Sequence, residues 1–322
     1  MIRMFVCVVA IVAGAIWPPA GLAQTYPSRP IRFFVPYPPG GGTDIVARVL
    51  AQKLQESMGQ TVIVENKPGG NEIISTDALA KSAPDGHTLA LVSNAFPINV
   101  SLRPKLPFDP ARDFIPLTML VAVPFVMVVH TSVAANSVPE LVKLAKSKPG
   151  QLNYAHLGSG SPHQLAMEWF KQLAGVDIVG VPYKGVAAGN AAVTAGEVQL
   201  AFTGLTAGMA QVKGGRLKAL AVSPAKRVSA APELPTVAEA GYPEFDMTTW
   251  YGSVIPAGTP PEIVARLHAE LVKALNAPDV RQRFAGIGVD TAPMTPEAFA
   301  SVIRAETQTW AKIIKAAGVK AD

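Results

Sequence analysis

The chain has 322 residues, 49% of them hydrophobic and 16% charged, with a formal net charge of +5. That much apolar material excludes a disordered, collagenous or coiled-coil protein, and the mild charge without like-charge runs argues against nucleic acid as a partner. One cysteine excludes a disulfide framework or a Cys-ligated zinc site, while Gly 27 and Pro 29 point to many punctuated turns.

Residues 1–23 read as a signal peptide. Met1-Ile2-Arg3-Met4 is a short cationic n-region and Phe5 to Ile16 an unbroken apolar run. Trp17-Pro18-Pro19 breaks the run, and Gly21-Leu22-Ala23 supplies the small residues of a cleavage site. The run is shorter than the roughly 20 residues a membrane span needs. Cys7 lies inside it, where a lipoprotein anchor would place its cysteine after the small residues. Cleavage at Ala23-Gln24 removes that cysteine and suits an oxidising compartment. The longest later apolar stretch, Leu117 to Val129, is interrupted by Pro124, so the mature chain is expected to be soluble.

Strand and helix signals then alternate. Residues 31–36 read as a strand, 38–42 as a turn, and 43–58 as a helix with Ile45, Val46, Val49, Leu50, Leu54 and Met58 on one face. Thr43 suits the start of that helix and Gly59 its end. A strand at 61–65, a helix at 73–82 and a strand at 88–93 complete a βαβαβ order, which predicts a parallel sheet with helices on both faces. The pattern restarts with a strand at 125–130 and a helix at 138–146. Strands at 152–155, 176–181, 200–203 and 217–222 follow, separated by helices at 163–174, 185–196 and 206–214. After a proline-rich connector come a strand at 248–255 and periodic helices at 262–275 and 297–316. The C-terminal helices are expected to return to the first unit. This predicts a discontinuous domain 1 (24–123 plus 251–322), a domain 2 (124–250), and a ligand cleft between them.

Two loops stand where chemistry is expected. Tyr37-Pro38-Pro39-Gly40-Gly41-Gly42-Thr43-Asp44 follows a strand and opens a helix, so its amides and the positive helix end favour an anion. It lacks the pattern of a Walker A or dinucleotide loop, and capping by Thr43 or Asp44 accounts for part of it. Gly158-Ser159-Gly160-Ser161-Pro162-His163 is its counterpart in the second unit. It fails the G-x-S-x-G pattern, and Ser161 and His163 lie too close in sequence to imply a triad. His87, His130, His156, His163 and His268 show no H-E-x-x-H spacing, so no metal is expected. Lys184 suits either an acidic ligand or solvent. Trp169, Trp250 and Trp310 read as packing residues, with Trp250-Tyr251 a candidate cleft wall.

Tyr26-Pro27-Ser28-Arg29-Pro30-Ile31, the 39–44 run, Val64-Glu65-Asn66-Lys67-Pro68-Gly69 and Ala83-Pro84-Asp85-Gly86 occur in that order. Gly158-x-Gly160-Ser161, Val181-Pro182-Tyr183-Lys184-Gly185 and Leu234-Pro235-Thr236-Val237-x-Glu239-Ala240-Gly241 follow. Taken together, the chain resembles the Bug, or TctC, substrate-binding proteins of tripartite tricarboxylate transporters. The resemblance implies an α/β, two-domain periplasmic-binding-protein fold of the type II clamshell kind, each domain a mixed sheet flanked by helices. It implies a non-enzymatic periplasmic receptor, without cofactor, that hands a small carboxylate to membrane permease subunits and acts as a monomer. Carried over, the ligand is held by Gly41, Gly42 and Thr43 and by Gly158, Ser159, Gly160 and Ser161, with Ser93 and Asn94 adding to them. Tyr37, Asp44, His163, Gly185 and Thr203 complete the candidate set. The chain departs from the family pattern at Gly69-Gly70-Asn71-Glu72-Ile73-Ile74-Ser75, at His156, and at His163-Gln164, which leaves the ligand unnamed. Glu72 or Asp44 could meet an ammonium group or only cap a helix. An exported serine esterase and a sensor module are the rival readings.

Overall fold

The computed structural model describes residues 26–320, so the leader assigned to residues 1–23 lies outside the described chain. The described residues form ten strands and ten helices, alternating except where β8 is followed by β9 and α8 by α9. The first sheet runs β2 (Val62–Asn66), β1 (Ile31–Val35), β3 (Thr88–Ser93), β9 (Thr248–Pro256), β4 (Phe114–His130). β1 pairs in parallel with β2 and β3, as the βαβαβ order predicts, whereas β9 runs antiparallel to both β3 and β4, so the sheet is mixed. α1 (Gly42–Met58), α2 (Ile73–Ala80), α8 (Pro261–Asn276) and α10 (Pro296–Ala317) flank it. Ile31, Phe33 and Val35 join one core cluster with α1 and α8 residues, while Phe34, Ala90 and Val92 join another on the opposite face. Both faces are therefore covered, which explains the near-continuous apolar composition of these strands.

β4 is the joint of the molecule. Residues 114–124 pair with β9, and residues 125–130 pair antiparallel with β7 (Leu200–Gly204) on one side and β8 (Leu217–Val222) on the other. The exchange of partners falls at Pro124-Phe125, where proline has no N–H for a ladder. Beyond β7 lie β5 (Asn153–His156) and β6 (Val179–Pro182), paired in parallel. Phe125, Met127 and Val129 face a core shared with α4 (Val138–Ser147) and α5 (Pro162–Ala174). Val126 and Val128 face a core shared with α6 (Val186–Ala195) and α7 (Leu205–Lys213).

Three short elements and half of β4 depart from the sequence reading. α3 (Ala95–Leu102), α9 (Pro278–Gly286) and β10 (Asp290–Thr291) carry no helical or alternating apolar pattern of useful length, and Pro116 masks the beginning of β4. The last helix also differs from expectation. Phe299 and Ile303 of α10 pack on the first sheet, but Trp310, Ile313 and Ile314 enter the core of the second. α10 thus spans both halves. No helix among the described residues is long and apolar enough to cross a membrane.

Candidate functional site

The first wall is built where β1 ends and α1 begins. Gly40 takes a left-handed φ of 87°, and extended Gly41 precedes the helix without any side-chain cap. The turn is held from behind by Asp44, whose carboxylate accepts from Gly40 N–H (2.9 Å), Arg48 Nε (2.8 Å) and Asn66 Nδ2 (3.0 Å). Burial opposes ionisation of Asp44, but these donors outweigh it and hold the carboxyl below the usual range. Asp44 is therefore committed to the turn. The amides of Gly41, Gly42 and Thr43 have no acceptor within the described chain, and both glycines are exposed. A 17-residue helix begins on these bare N–H groups, which suits an anion.

Beside this helix start lies a cluster that the sequence left undecided. Glu72 is 1% exposed, and its carboxylate accepts from Ser93 Oγ (2.5 Å) and Ser93 N–H (3.1 Å). The Tyr37 hydroxyl bonds to the same carboxylate and lies 3.5 Å from Ser93 Oγ. A Cβ placed on Gly42 would stand 3.4 Å from Tyr251 Oη, so the second phenol borders the α1 start. Burial pushes Glu72 up to about 7, against the hydrogen bonds that favour its charge. Burial, then the neighbouring Glu72, pushes Tyr251 up to about 12 and Tyr37 well above its ordinary value. Glu72 precedes α2 but does not cap it; the side chain turns to β3 instead.

The second wall is the start of α5. Gly158 (φ 100°) and Gly160 (φ 74°) turn the chain, and Ser161 caps the helix by accepting from Gln164 N–H (3.3 Å). Its Oγ also accepts from Leu157 N–H (3.3 Å), while Gln164 Oε1 reaches back to Gly160 N–H (2.7 Å). Gly158 N–H donates to His156 Nδ1 and Ser161 N–H to Gly158 O. Most of this loop's donors are thus satisfied internally, unlike those of the first loop. Ser159 is half-buried within it. His163 stacks on Phe125 with ring centroids 4.6 Å apart, and its Nδ1 is buried without a partner. Burial, then His156, lowers its imidazole to about 4. Ser161 and His163 form no nucleophile–base pair through Nδ1, since that atom has no hydrogen bond. His163 and Thr203, whose Oγ1 is also buried and unpartnered, line a narrow recess that holds about one water-sized group. Gly185 (φ 100°) starts α6, whose first turns form the recess's far side.

The two walls touch. Asn71 Nδ2 reaches 3.4 Å from Gly160 O, and a Cβ on Gly160 would strike Leu102 of α3. Asn94 is spent elsewhere. Its side chain accepts from Trp250 N–H (2.8 Å) and donates to Glu306 Oε2 (2.9 Å), which also receives Trp310 Nε1 (3.2 Å). Trp250 Nε1 donates to the other Glu306 oxygen (2.6 Å). Among the described residues no cluster of His, Cys, Asp and Glu suits a metal ion.

The model of the tripartite tricarboxylate transporter family receptor, TctC, matches residues 46–319. The chain belongs to the TctC family. Three solved structures share the fold of this TctC chain. An R. palustris protein with adipate is 32% identical, covers 92% of this chain and 100% of its own, and gives a TM-score of 0.84. The periplasmic binding protein BugD matches with the same identity and coverages at 0.82. MatC from Rhodopseudomonas palustris with bound malate is 30% identical over 90% of this chain and 100% of its own, at 0.80. TctC proteins are substrate-binding receptors rather than enzymes.

Of the residues singled out in the sequence, Tyr37, Gly41, Gly42, Thr43 and Ser93 meet at the first wall of this TctC fold. Gly158, Ser159, Gly160, Ser161, His163 and Thr203 stand at the second, with Gly185 beyond the recess. The partnership of Glu72 with Tyr37 and Ser93 was not legible, because its members lie 21 or more residues apart and no spacing rule joins them. Glu306 gave no signal either, sitting in a regular amphipathic helix.

Proposed function

We propose that the chain is a periplasmic receptor that captures a small carboxylate between the α1 start and the α5 loop and delivers it to membrane permease subunits. The observation that carries this reading is the set of bare amides at the start of a long helix, those of the exposed Gly41 and Gly42 with that of the buried Thr43 behind them. The second wall contributes shape and the polar atoms of Ser159, His163 and Thr203, while Asp44 and Asn94 serve the scaffold. Adipate and malate in the two related structures support a carboxylate as the ligand class. The leader-like residues 1–23 support export. Residues 24–123 with 251–322, and residues 124–250, are proposed as the bodies that close on the ligand, joined at Pro124-Phe125. Both walls come from one chain, which supports action as a monomer.

Gly42→Pro tests the reading. Gly42 is the first helical residue, where proline fits, and Gly41 already has the extended conformation proline requires of its predecessor (φ −80°, ψ 171°). The variant removes one N–H but also sets a ring beside Tyr251 Oη, so Gly42→Ala, which adds the Cβ and keeps the N–H, is measured alongside it. Titration calorimetry against a panel of organic acids should show affinity for the best ligand falling about 10- to 100-fold, the worth of one charged hydrogen bond. The melting temperature without ligand should stay unchanged. An unaltered affinity would overturn the assignment of the α1 start as the anion site.

A further inference from the structure

Glu72 is a fully buried carboxyl beside an anion site. Among the described residues no cation pairs with it, and its nearest titratable neighbours are the phenols Tyr37, on the loop after β1, and Tyr251, on β9. From β3 it meets the neutral Ser93, through both N–H and hydroxyl. The backbone is held in an unusual way to place it. Asn71 and Glu72 are the non-glycine residues with positive φ among the described residues, at 51° and 79°. Such a conformation costs energy in a side-chain-bearing residue and persists only when its surroundings fix it. Here Asn99 Nδ2 grips Asn71 O at 2.6 Å, and Asn71 extends to Gly160 of the opposite wall. The strained pair thus sits where the two walls meet.

The chemistry of this cluster has two states. An ionised carboxylate only accepts, so the Ser93 and Tyr37 hydroxyls turn their protons to Glu72 and present lone pairs outward. A neutral carboxyl donates one hydrogen bond itself, which reverses the chain and releases a hydroxyl proton toward the α1 start. We propose that Glu72 is the specificity-determining residue of the site: neutral, it lets the Tyr37–Ser93–Tyr251 wall donate to a carboxylate ligand; ionised, it turns that wall into a repelling one. Ligand binding therefore takes up a proton at Glu72. Its burial, which brings the carboxyl up to about 7, makes both forms accessible near neutrality. The inference rests on the carboxylate reading above and names the residue that tunes it.

The test uses adipate and malate as probes on the full mature chain. Both stay ionised above about pH 6, because free carboxyls titrate near 4. Calorimetry in buffers of different ionisation enthalpy should show uptake of close to one proton at about pH 8.5, and affinity falling by up to tenfold per pH unit above about 7. Glu72→Gln should bind with no pH trend and no proton uptake, which separates Glu72 from any histidine that titrates nearby. On the unaltered protein, ligand should bring out the infrared carbonyl band of a protonated carboxyl, absent in the variant. Firm binding at both pH values without proton uptake overturns the inference while leaving the carboxylate reading intact. Affinity that rises with pH overturns it as well, since it would assign Glu72 to a ligand's cationic end. No binding of either probe at about pH 6, followed by a blank thermal-shift screen over other organic acids, sinks the carboxylate reading and this inference with it.

Discussion

Asp44 and Glu72 are both buried carboxyls next to a helix start, yet their surroundings drive them in opposite directions. Asp44 collects three N–H donors, one from a guanidinium, and stays charged. Glu72 collects donors from a serine and a tyrosine only, and desolvation wins. The difference is one of depth and of partner chemistry together: Asp44 shares its site with the exposed Arg48, whereas Glu72 lies deep among neutral groups. Ser161 shows the same principle with a neutral group. Its hydroxyl satisfies two backbone amides, from Leu157 and Gln164, so Ser161→Ala orphans both and removes the cap of α5. The expected cost is about 1–2 kcal/mol of unfolding free energy, read by urea denaturation, with no change in the slope against urea. Neither device was read from the sequence: Gln164 Oε1 reaches Gly160 N–H rather than the amide of the cap residue itself, and Asn66 reaches Asp44 from another strand.

At the scale of elements, β4 and α10 carry information that no local pattern held. Periodicity identified the helices and glycine the turns, so most elements stood out. A 17-residue strand interrupted by Pro116 and Pro124 did not, because its continuity depends on ladders with partners at least 71 residues away. α10 was legible as a helix but not in its placement, since its apolar stripe does not say which sheet it covers. That stripe serves two cores. Trp310 lies 6.3 Å from Trp169 of α5, ring centroid to centroid, while Trp250 stacks edge-on against Phe299 nearer the helix start. Trp310→Ala should cost about 3–5 kcal/mol through cavity formation and loss of the Glu306 bond. Hydrogen exchange should locate the loss in α5 and the C-terminal half of α10 before it appears in β1–β3.

At the scale of the whole molecule, two buried groups give opposite pH slopes. Glu72 has a native value raised to about 7 from an unfolded value of 4.5, so the native state binds more protons in that window. Stability from this group is present below 4.5 and lost as pH rises to 7, by about 3 kcal/mol. His163 is lowered to about 4 from 6.5, so its contribution is present above 6.5 and lost, by a similar amount of about 3 kcal/mol, as pH falls to 4. Between 4.5 and 6.5 the two slopes cancel. The protein should therefore melt at nearly constant temperature across that range. Glu72→Gln should unmask a fall on acidification, and His163→Phe, which keeps the stack on Phe125, should unmask a rise. Thermal scans over pH check all three, and a flat profile for either variant would refute the assignment of the group that the variant retains.

The uninterrupted course of β4 also sets a mechanical limit. A β-strand is nearly inextensible along its axis, and this one threads from the first sheet into the second without a loop between them. The halves cannot drift apart at that line; what is left to them is torsion about it. Spectroscopic labels placed close to Pro124 should keep a constant separation whatever occupies the site. Labels far out on α1 and α6 would sweep the larger arcs, as points on a turning wheel move faster than its axle.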